Sequence, residues 1–387
     1  MKNLWVVPIL FAASQATGGG WEASTLDTSF MYQEGNYGEV GNASITYNVK
    51  ANIQGVDTPK VKMAKNQNRT SLAFKSEYGD LAIGLASYMS GAIQLSGGDA
   101  TAAGCIPDPT NAAIGLCSVV PSADVTMNSL ALVGRYKMND NLSFLAGANR
   151  YEIASGATVT SLSGHYAVSG DALVPTFGAA YELSDIALRA ELVIQSKTKI
   201  SNFKAQSSFA AGGVATTLQD VSGESMTIPQ TMKLNFQSGI AENTLMFGSI
   251  HQANWKDAQI VIPERNNGSA LGGVDAVGSS FASRTTYSIG LGRKFTEQFS
   301  GLISYTTEAG GGKTTSDPFT LRNGYQSLSF GGRYTVGNVT VSAGYNYTLP
   351  GDVDLAHEKA DGTASGLTAS YKNNNVSAFG LKVGFSF

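Results

Sequence analysis

Val376-Ser377-Ala378-Phe379-Gly380-Leu381-Lys382-Val383-Gly384-Phe385-Ser386-Phe387 closes the chain, with apolar side chains at every odd position from Phe379 and small or polar ones between them. A two-residue period sends alternate side chains to opposite faces of a strand. One face here is suited to hydrocarbon, while Gly380, Lys382 and Gly384 face something wet. A soluble sheet can show the same alternation. A final strand of this kind, ending on an aromatic, is the pattern of a transmembrane β-barrel, and Phe387 is then the expected handle for the barrel-assembly machinery.

Composition agrees with that reading. The chain has 387 residues, 14% of them charged, with 45 Gly, 10 Pro, 2 Cys and a formal net charge of -3. Average domains carry about a quarter charged residues, so charge is depleted. A strand with one face in lipid and one in water gives that depletion without a strongly apolar mean. No basic run exists to neutralise phosphates, which argues against a nucleic-acid partner.

The first residues give a basic start at Lys2, an apolar stretch from Leu4 to Ala13 and a small-x-small site at Ser14-Gln15-Ala16. That is the layout of a secretory signal, expected to span 1–16. It is too short to cross a bilayer, which takes ~20 apolar residues, and no later run reaches that length. Export to an oxidising compartment gives Cys105 and Cys117 a reading as one disulfide inside a Gly- and Pro-rich loop. A metal site is the alternative, and two lone thiols without a nearby His speak against it.

Alternation recurs along the chain. Ala43, Ile45, Tyr47, Val49, Ala51 and Ile53 form one face of a strand and Ser44, Thr46, Asn48, Lys50, Asn52 and Gln54 the other. Short polar turns fall at 78–80, 138–141, 184–185, 241–243, 296–298 and 337–338. Longer loops are expected near 57–69, 96–122, 158–168, 206–223, 262–283, 310–324 and 356–373. Short turns on one side and long loops on the other is the asymmetry of outer-membrane barrels. The count predicts an all-β protein, a transmembrane antiparallel barrel of roughly fourteen strands. The expected division is a short N-terminal plug over 17–41 and a barrel over 42–387. No period of 20 to 50 residues appears, which argues against a solenoid.

Phe74, Tyr78, Tyr136, Phe144, Tyr181, Phe295, Phe299, Tyr334, Phe385 and Phe387 all fall near the short turns, where an interfacial girdle would lie. Parity places Arg135, Lys137, Arg189, Glu191 and Lys233 on the opposite, lumen side. Such charges serve either as structural ion pairs of a solvated interior or as partners for an anionic head group.

Signs of catalysis are weak. Gly310-Gly311-Gly312-Lys313-Thr314 resembles the end of a phosphate-binding loop, but Thr307 stands where that motif needs Gly. Ser249 and His251 share a strand face without an orienting partner. The expectation is therefore a non-enzyme with no cofactor and no metal.

Tyr181-Glu182-Leu183-Ser184, the run through Leu188 to Lys199-Ile200 and Phe203, then Ile228-Pro229-Gln230-Thr231-Met232-Lys233-Leu234-Asn235-Phe236 and Asn254-Trp255 resemble the outer-membrane long-chain fatty-acid transporter (FadL) family. The match is clearest from Phe177 to Trp255. The resemblance implies a fourteen-stranded barrel with an N-terminal hatch, loop capture of hydrophobic molecules, a lumen site, and sideways release into the membrane beside a kinked third strand. On this register that strand is Leu81 to Leu95, with Gly84 and Gly91 as the expected kink or gate positions. The family's Asn-Pro-Ala hatch motif is absent, and Trp21, Phe30, Tyr32 and Tyr37 are the aromatic residues available to a small plug.

The resemblance implies a bacterial outer-membrane location and passive uptake of hydrophobic compounds, with long-chain fatty acids first and small aromatic hydrocarbons second. Arg150 or Arg189 is expected to meet a carboxylate, with Lys256 the basic residue nearest Trp255. Phe209, Val214, Leu218, Leu271 and Phe281 are the expected apolar capture residues of the loops. Partners are then the hydrophobic solute and outer-membrane lipid. A non-selective porin, and a surface structure recognised by phage or other cells, are the competing classes.

Overall fold

The computed structural model describes residues 21, 24–53, 61–96, 107–108, 111–115, 122–161, 164–211, 214–215, 219–220, 224–262, 277–317, 319–358 and 364–387. The expected signal segment, Cys105, Cys117, Leu218 and Leu271 lie outside the described residues.

Fourteen antiparallel strands form the wall: β1 (Tyr37–Asn48), β2 (Gln67–Tyr78), β3 (Leu81–Ser96), β4 (Ser122–Lys137), β5 (Leu142–Ser161), β6 (Gly164–Leu183), β7 (Leu188–Gln195), β8 (Thr231–Ala241), β9 (Thr244–Ala253), β10 (Arg284–Lys294), β11 (Phe299–Glu308), β12 (Tyr325–Val336), β13 (Val339–Pro350) and β14 (Asn375–Ser386). Closure is direct: β14 pairs with β1 from Tyr37↔Ser386 to Asn48↔Asn375. A closed ring leaves no unpaired terminal strand, the condition for crossing a bilayer with strands.

All six expected short turns join neighbouring wall strands on one side of the barrel. Their chemistry explains their tightness: Gly79 and Gly337 take φ of 60° and 55°, and Asn243 takes 54°, the left-handed conformation that Gly and Asn adopt at least cost. The first strand starts at Tyr37, earlier than Asn42, so residues 37–41 are wall. The 158–168 loop is a correction, because β5 runs to Ser161 and β6 starts at Gly164, carrying the hairpin beyond the expected loop. Short strands at Lys50–Ile53, Val353–Glu358 and Ala364–Tyr371 pair with one another and extend the wall on the long-loop side.

All ten aromatics expected at the short-turn interface are exposed on the outer surface, from Phe299 at 42% to Tyr78 at 65%. Phe387 lies within 5.8 Å of Phe74 and 6.1 Å of Phe385, ring centre to ring centre.

The interior departs from a uniformly wet lumen. Near the short turns it is charged, with Arg135, Arg189 and Glu191 all buried. Toward the long loops it becomes a continuous apolar mass that includes Ile45, Tyr47, Val49, Ile93, Leu95, Ile153, Tyr166, Val168, Val174, Trp255 and Phe281. In β1 the apolar face, Ile45-Tyr47-Val49, is therefore the inner one, and Ser44, Thr46 and Asn48 face out. The barrel is greasy outside and wet inside over its lower half, and greasy inside over its upper half.

Candidate functional site

Trp21 and residues 24–36 enter the lumen as a plug. Its one regular element is a short 3-10 helix, Thr28–Tyr32, capped by the Asp27 carboxylate, which accepts a hydrogen bond from the Ser29 amide at 2.9 Å. At its end, Glu191 of β7 accepts from the Tyr32 hydroxyl at 2.8 Å, from Thr28 at 2.8 Å and from Asn235 at 2.9 Å. The guanidinium carbons of Arg135 and Arg189 each sit 4.1 Å from the centre of the Tyr32 ring. Both guanidiniums are thus within cation–π range of one ring in a desolvated setting.

Other strands hold the plug in the same way. Arg135 pairs with Glu182, and Lys75 pairs with Glu77 while donating to the Gln33 carbonyl. Lys382 lies 3.0 Å from Glu39 and 3.4 Å from Asp27. Lys233 donates to Thr25 at 3.1 Å. The lumen cations foreseen from parity are thus engaged with plug and wall. Arg189 in particular spends its guanidinium on Tyr32 rather than facing open space.

Burial alone would raise the Asp27 carboxyl, yet the Lys382 ammonium and the Ser29 hydrogen bonds hold it below its ordinary 3.8. A depressed carboxyl contributes stability that is complete above its unfolded value and is lost as pH falls through the folded one. The plug is therefore expected to stay docked at neutral and mildly acid pH and to loosen below about pH 4. Bilayer conductance recorded stepwise from pH 7 to pH 3 checks this: a rise only at the acid end is expected.

The wall itself is interrupted. β2 pairs with β1 up to Ile45↔Gln67, but with β3 only up to Leu72↔Ser87. Gln67–Ser71 therefore have no ladder partner on the β3 side among the described residues. Above this point β3 carries a register shift between Met89 and Gly91 against β4, a bulge of the kind that bends a strand. The gap closes again higher up, where Ala64 bridges Leu95 and the Ser96 amide donates to the Met63 carbonyl at 3.0 Å. The result is a window in the barrel side.

A cavity of about 110 Å³ passes through this window, lined inside by Leu26, Asp27, Arg69 and Lys382 and outside by Asn42, Thr70 and Ser87. The plug borders it, since the Trp21 carbonyl accepts from the Ala92 amide at 2.8 Å and the Ser24 amide donates to Ser90 at 3.5 Å. Gly91 lies under the Trp21 ring, where a Cβ would come within 3.0 Å. Gly84 lies in regular ladder beneath the plug, and its Cβ would meet Met31 Sδ at 2.3 Å and Phe30 at 2.6 Å. The bulge thus coincides with Gly91, while Gly84 makes room for the plug.

The remaining expected site residues are spread out. Arg150 faces outward beside Glu152 and Asp171, at 3.5 and 3.8 Å, and does not enter the lumen. Lys256 is exposed at the loop end, next to Trp255, which packs edge-on against Phe281 at 5.5 Å. Phe281 is 4% exposed and belongs to the apolar upper lumen. Phe209 falls in the strand Lys204–Ala211, with its backbone opposite Gly164. Sequence reasoning missed Glu191 and Tyr32 as a pair, because no local signal links residues that meet only through the closed barrel.

A closed fourteen-stranded barrel with an outer apolar band, an inserted N-terminal segment and a side opening is also the fold of solved outer-membrane transporters of FadL type. Solved structures with this fold include a Pseudomonas aeruginosa FadL homologue, at TM-score 0.68 and 14% identity over 93% of this chain and 92% of that one. The Pseudomonas putida toluene transporter TodX aligns at 0.62 and 14% over 93% and 92%. The Ralstonia pickettii toluene transporter TbuX aligns at 0.59 and 12% over 92% and 90%. The fold implied by the sequence resemblance is therefore the fold of this chain. No family model matches the sequence, and no curated protein matches it.

Proposed function

We propose that this protein is an outer-membrane channel for passive uptake of hydrophobic compounds, with long-chain fatty acids the leading substrate and sideways release through the window between β2 and β3. One observation carries the reading: the upper interior is apolar and a cavity lies at the side opening below it, while the route straight through is filled by a charged, hydrogen-bonded plug. A hydrophobic solute gains about 0.8 kcal/mol per methylene on leaving water for such a chamber, and a wet pore would offer it nothing. In this reading capture takes place at the loop end, above the buried Phe281 and Trp255, with the exposed Lys256 available to an anionic head group. Gly91, at the bulge and beneath Trp21, is the proposed gate position.

Small aromatic hydrocarbons are the second reading. The window cavity, at about 110 Å³, is of the order of the ~150 Å³ apolar cavity known to hold benzene. Two of the similar structures are toluene transporters. Initial uptake of labelled oleate and labelled toluene in a deletion strain and its complemented parent tests both. Faster oleate uptake in the parent supports the first reading and faster toluene uptake alone the second. Equal rates for both solutes, with steady bilayer conductance insensitive to fatty acid, would establish a porin instead.

A further inference from the structure

We propose that the membrane-facing rim of the window, formed by Asn42, Thr70 and Ser87, is a hydrogen-bonding site for the polar head of an amphiphile as it leaves the barrel, so that the exit favours amphiphiles over bare hydrocarbons. This rests on the reading that solutes leave through the window.

The rim lies where lipid should be. Asn42 faces outward opposite Leu381, and Ser44 opposite Phe379, two lipid-facing side chains exposed by 45% and 55%. Asn42 is four residues beyond Gly38, whose partner is the interfacial Phe385. At ~3.3 Å per residue and a strand tilt of ~40°, that raises it roughly 10 Å into an apolar band about 25 Å tall. On the next strand Thr70 pairs with Asn42 and Asn68 with Ser44, both exposed. On the far side of the window Ser87 is exposed between the lipid-facing Leu72 and Leu130, its register partners.

Lipid-facing neighbours at the rim are apolar, Leu381, Leu72 and Leu130 among them. Polar side chains turned to hydrocarbon are costly unless bonded, and inside membranes they mark function. Asn42 meets part of the cost by donating to Thr70 at 3.2 Å. That bond leaves the Asn42 carbonyl oxygen and the Thr70 hydroxyl proton for a visitor, one acceptor and one donor. The same three residues line the outer end of the window cavity. A carboxylic acid or alcohol whose tail has entered the bilayer would find there the hydrogen bonds that lipid tails cannot give. The rim carries no charge, so it can release the head as well as hold it.

The test uses the full-length protein in a deletion strain, wild type against Asn42→Leu/Thr70→Val/Ser87→Ala, with labelled dodecanoate and labelled toluene as probes. Dodecanoate affinity of the purified proteins in detergent is measured alongside. The expected result is dodecanoate influx slowed about tenfold, the loss of one or two hydrogen bonds, with toluene influx and dodecanoate affinity unchanged. Thr70→Val alone, a near-isosteric change, should give a smaller slowing of the same kind and serves if the triple variant does not assemble. Unchanged dodecanoate influx, or equal slowing of both probes, overturns the proposal. So does a wild type that carries toluene only, although that leaves window exit intact. A wild type that carries neither probe sinks the uptake reading itself. Separation of a native dimer by the triple variant, with both influxes unchanged, would reassign the rim to contact between copies.

Discussion

Glu191→Ala should convert the plugged barrel into a conducting pore, with steady bilayer conductance rising at least about tenfold over wild type. Loss of a buried acceptor sets the size of the effect. Glu191 is 2% exposed and is the acceptor for the plug's Thr28 and Tyr32. Removing one member of a buried charge cluster costs about 3–5 kcal/mol, because its partners remain buried without it. Here the buried Thr28 and Tyr32 hydroxyls of the plug would be left without their acceptor. Undocking the plug returns those hydroxyls to water, so the cost appears as plug release more than as loss of the wall, whose ladders do not depend on Glu191. Glu191→Gln keeps an acceptor for Tyr32 and should conduct at an intermediate level. Single-channel recording checks both variants, and wild-type conductance in Glu191→Ala would mean that the plug is held by other contacts.

Ile153→Asp should lower uptake of hydrophobic solutes by about two orders of magnitude, the equivalent of roughly 3 kcal/mol for placing an unpaired polar group in an apolar setting. Ile153 is 2% exposed, within the apolar upper lumen, on the same inner face of β5 as Tyr151. A carboxylate there would draw water into the apolar upper interior and remove the reason for a hydrocarbon chain to enter it. Ile153→Leu keeps the apolar surface and should transport normally. Measured oleate and toluene influx, with heat-modifiable gel mobility as the check on barrel assembly, distinguishes loss of the chamber from loss of the fold.

The barrel was legible because its signal is local and repeated. Two-residue alternation, six tight turns and aromatics near five of them depend only on near neighbours in the chain, and those expectations match the wall. Which face of a strand looks inward was harder, because a dyad pattern defines two faces without naming them. In β1 the apolar run through Ile45, Tyr47 and Val49 packs into the lumen, since the upper chamber is greasy and the outer face there borders the window. One residue of parity also decides Arg150: Asn149 and Tyr151 face in, so Arg150 faces out to Glu152 and Asp171. Arg189 was rightly turned inward, but its partner Tyr32 lies far away in sequence and is brought to it only by closure of the ring. The window was legible only as glycines in the third strand. Its other half, the early end of β2–β3 pairing, depends on register between strands, which no single segment records.

The central claim is that hydrophobic solutes leave sideways between β2 and β3. Ser71→Cys with Tyr88→Cys places one thiol on each side of the window, one register step beyond the last pair, Leu72↔Ser87. Uptake of labelled oleate and toluene is measured with the pair oxidised and again after reduction. Window exit predicts that oxidation stops uptake and reduction restores it, with bilayer conductance unchanged throughout. Undiminished uptake through a barrel shown to be fully cross-linked would contradict it.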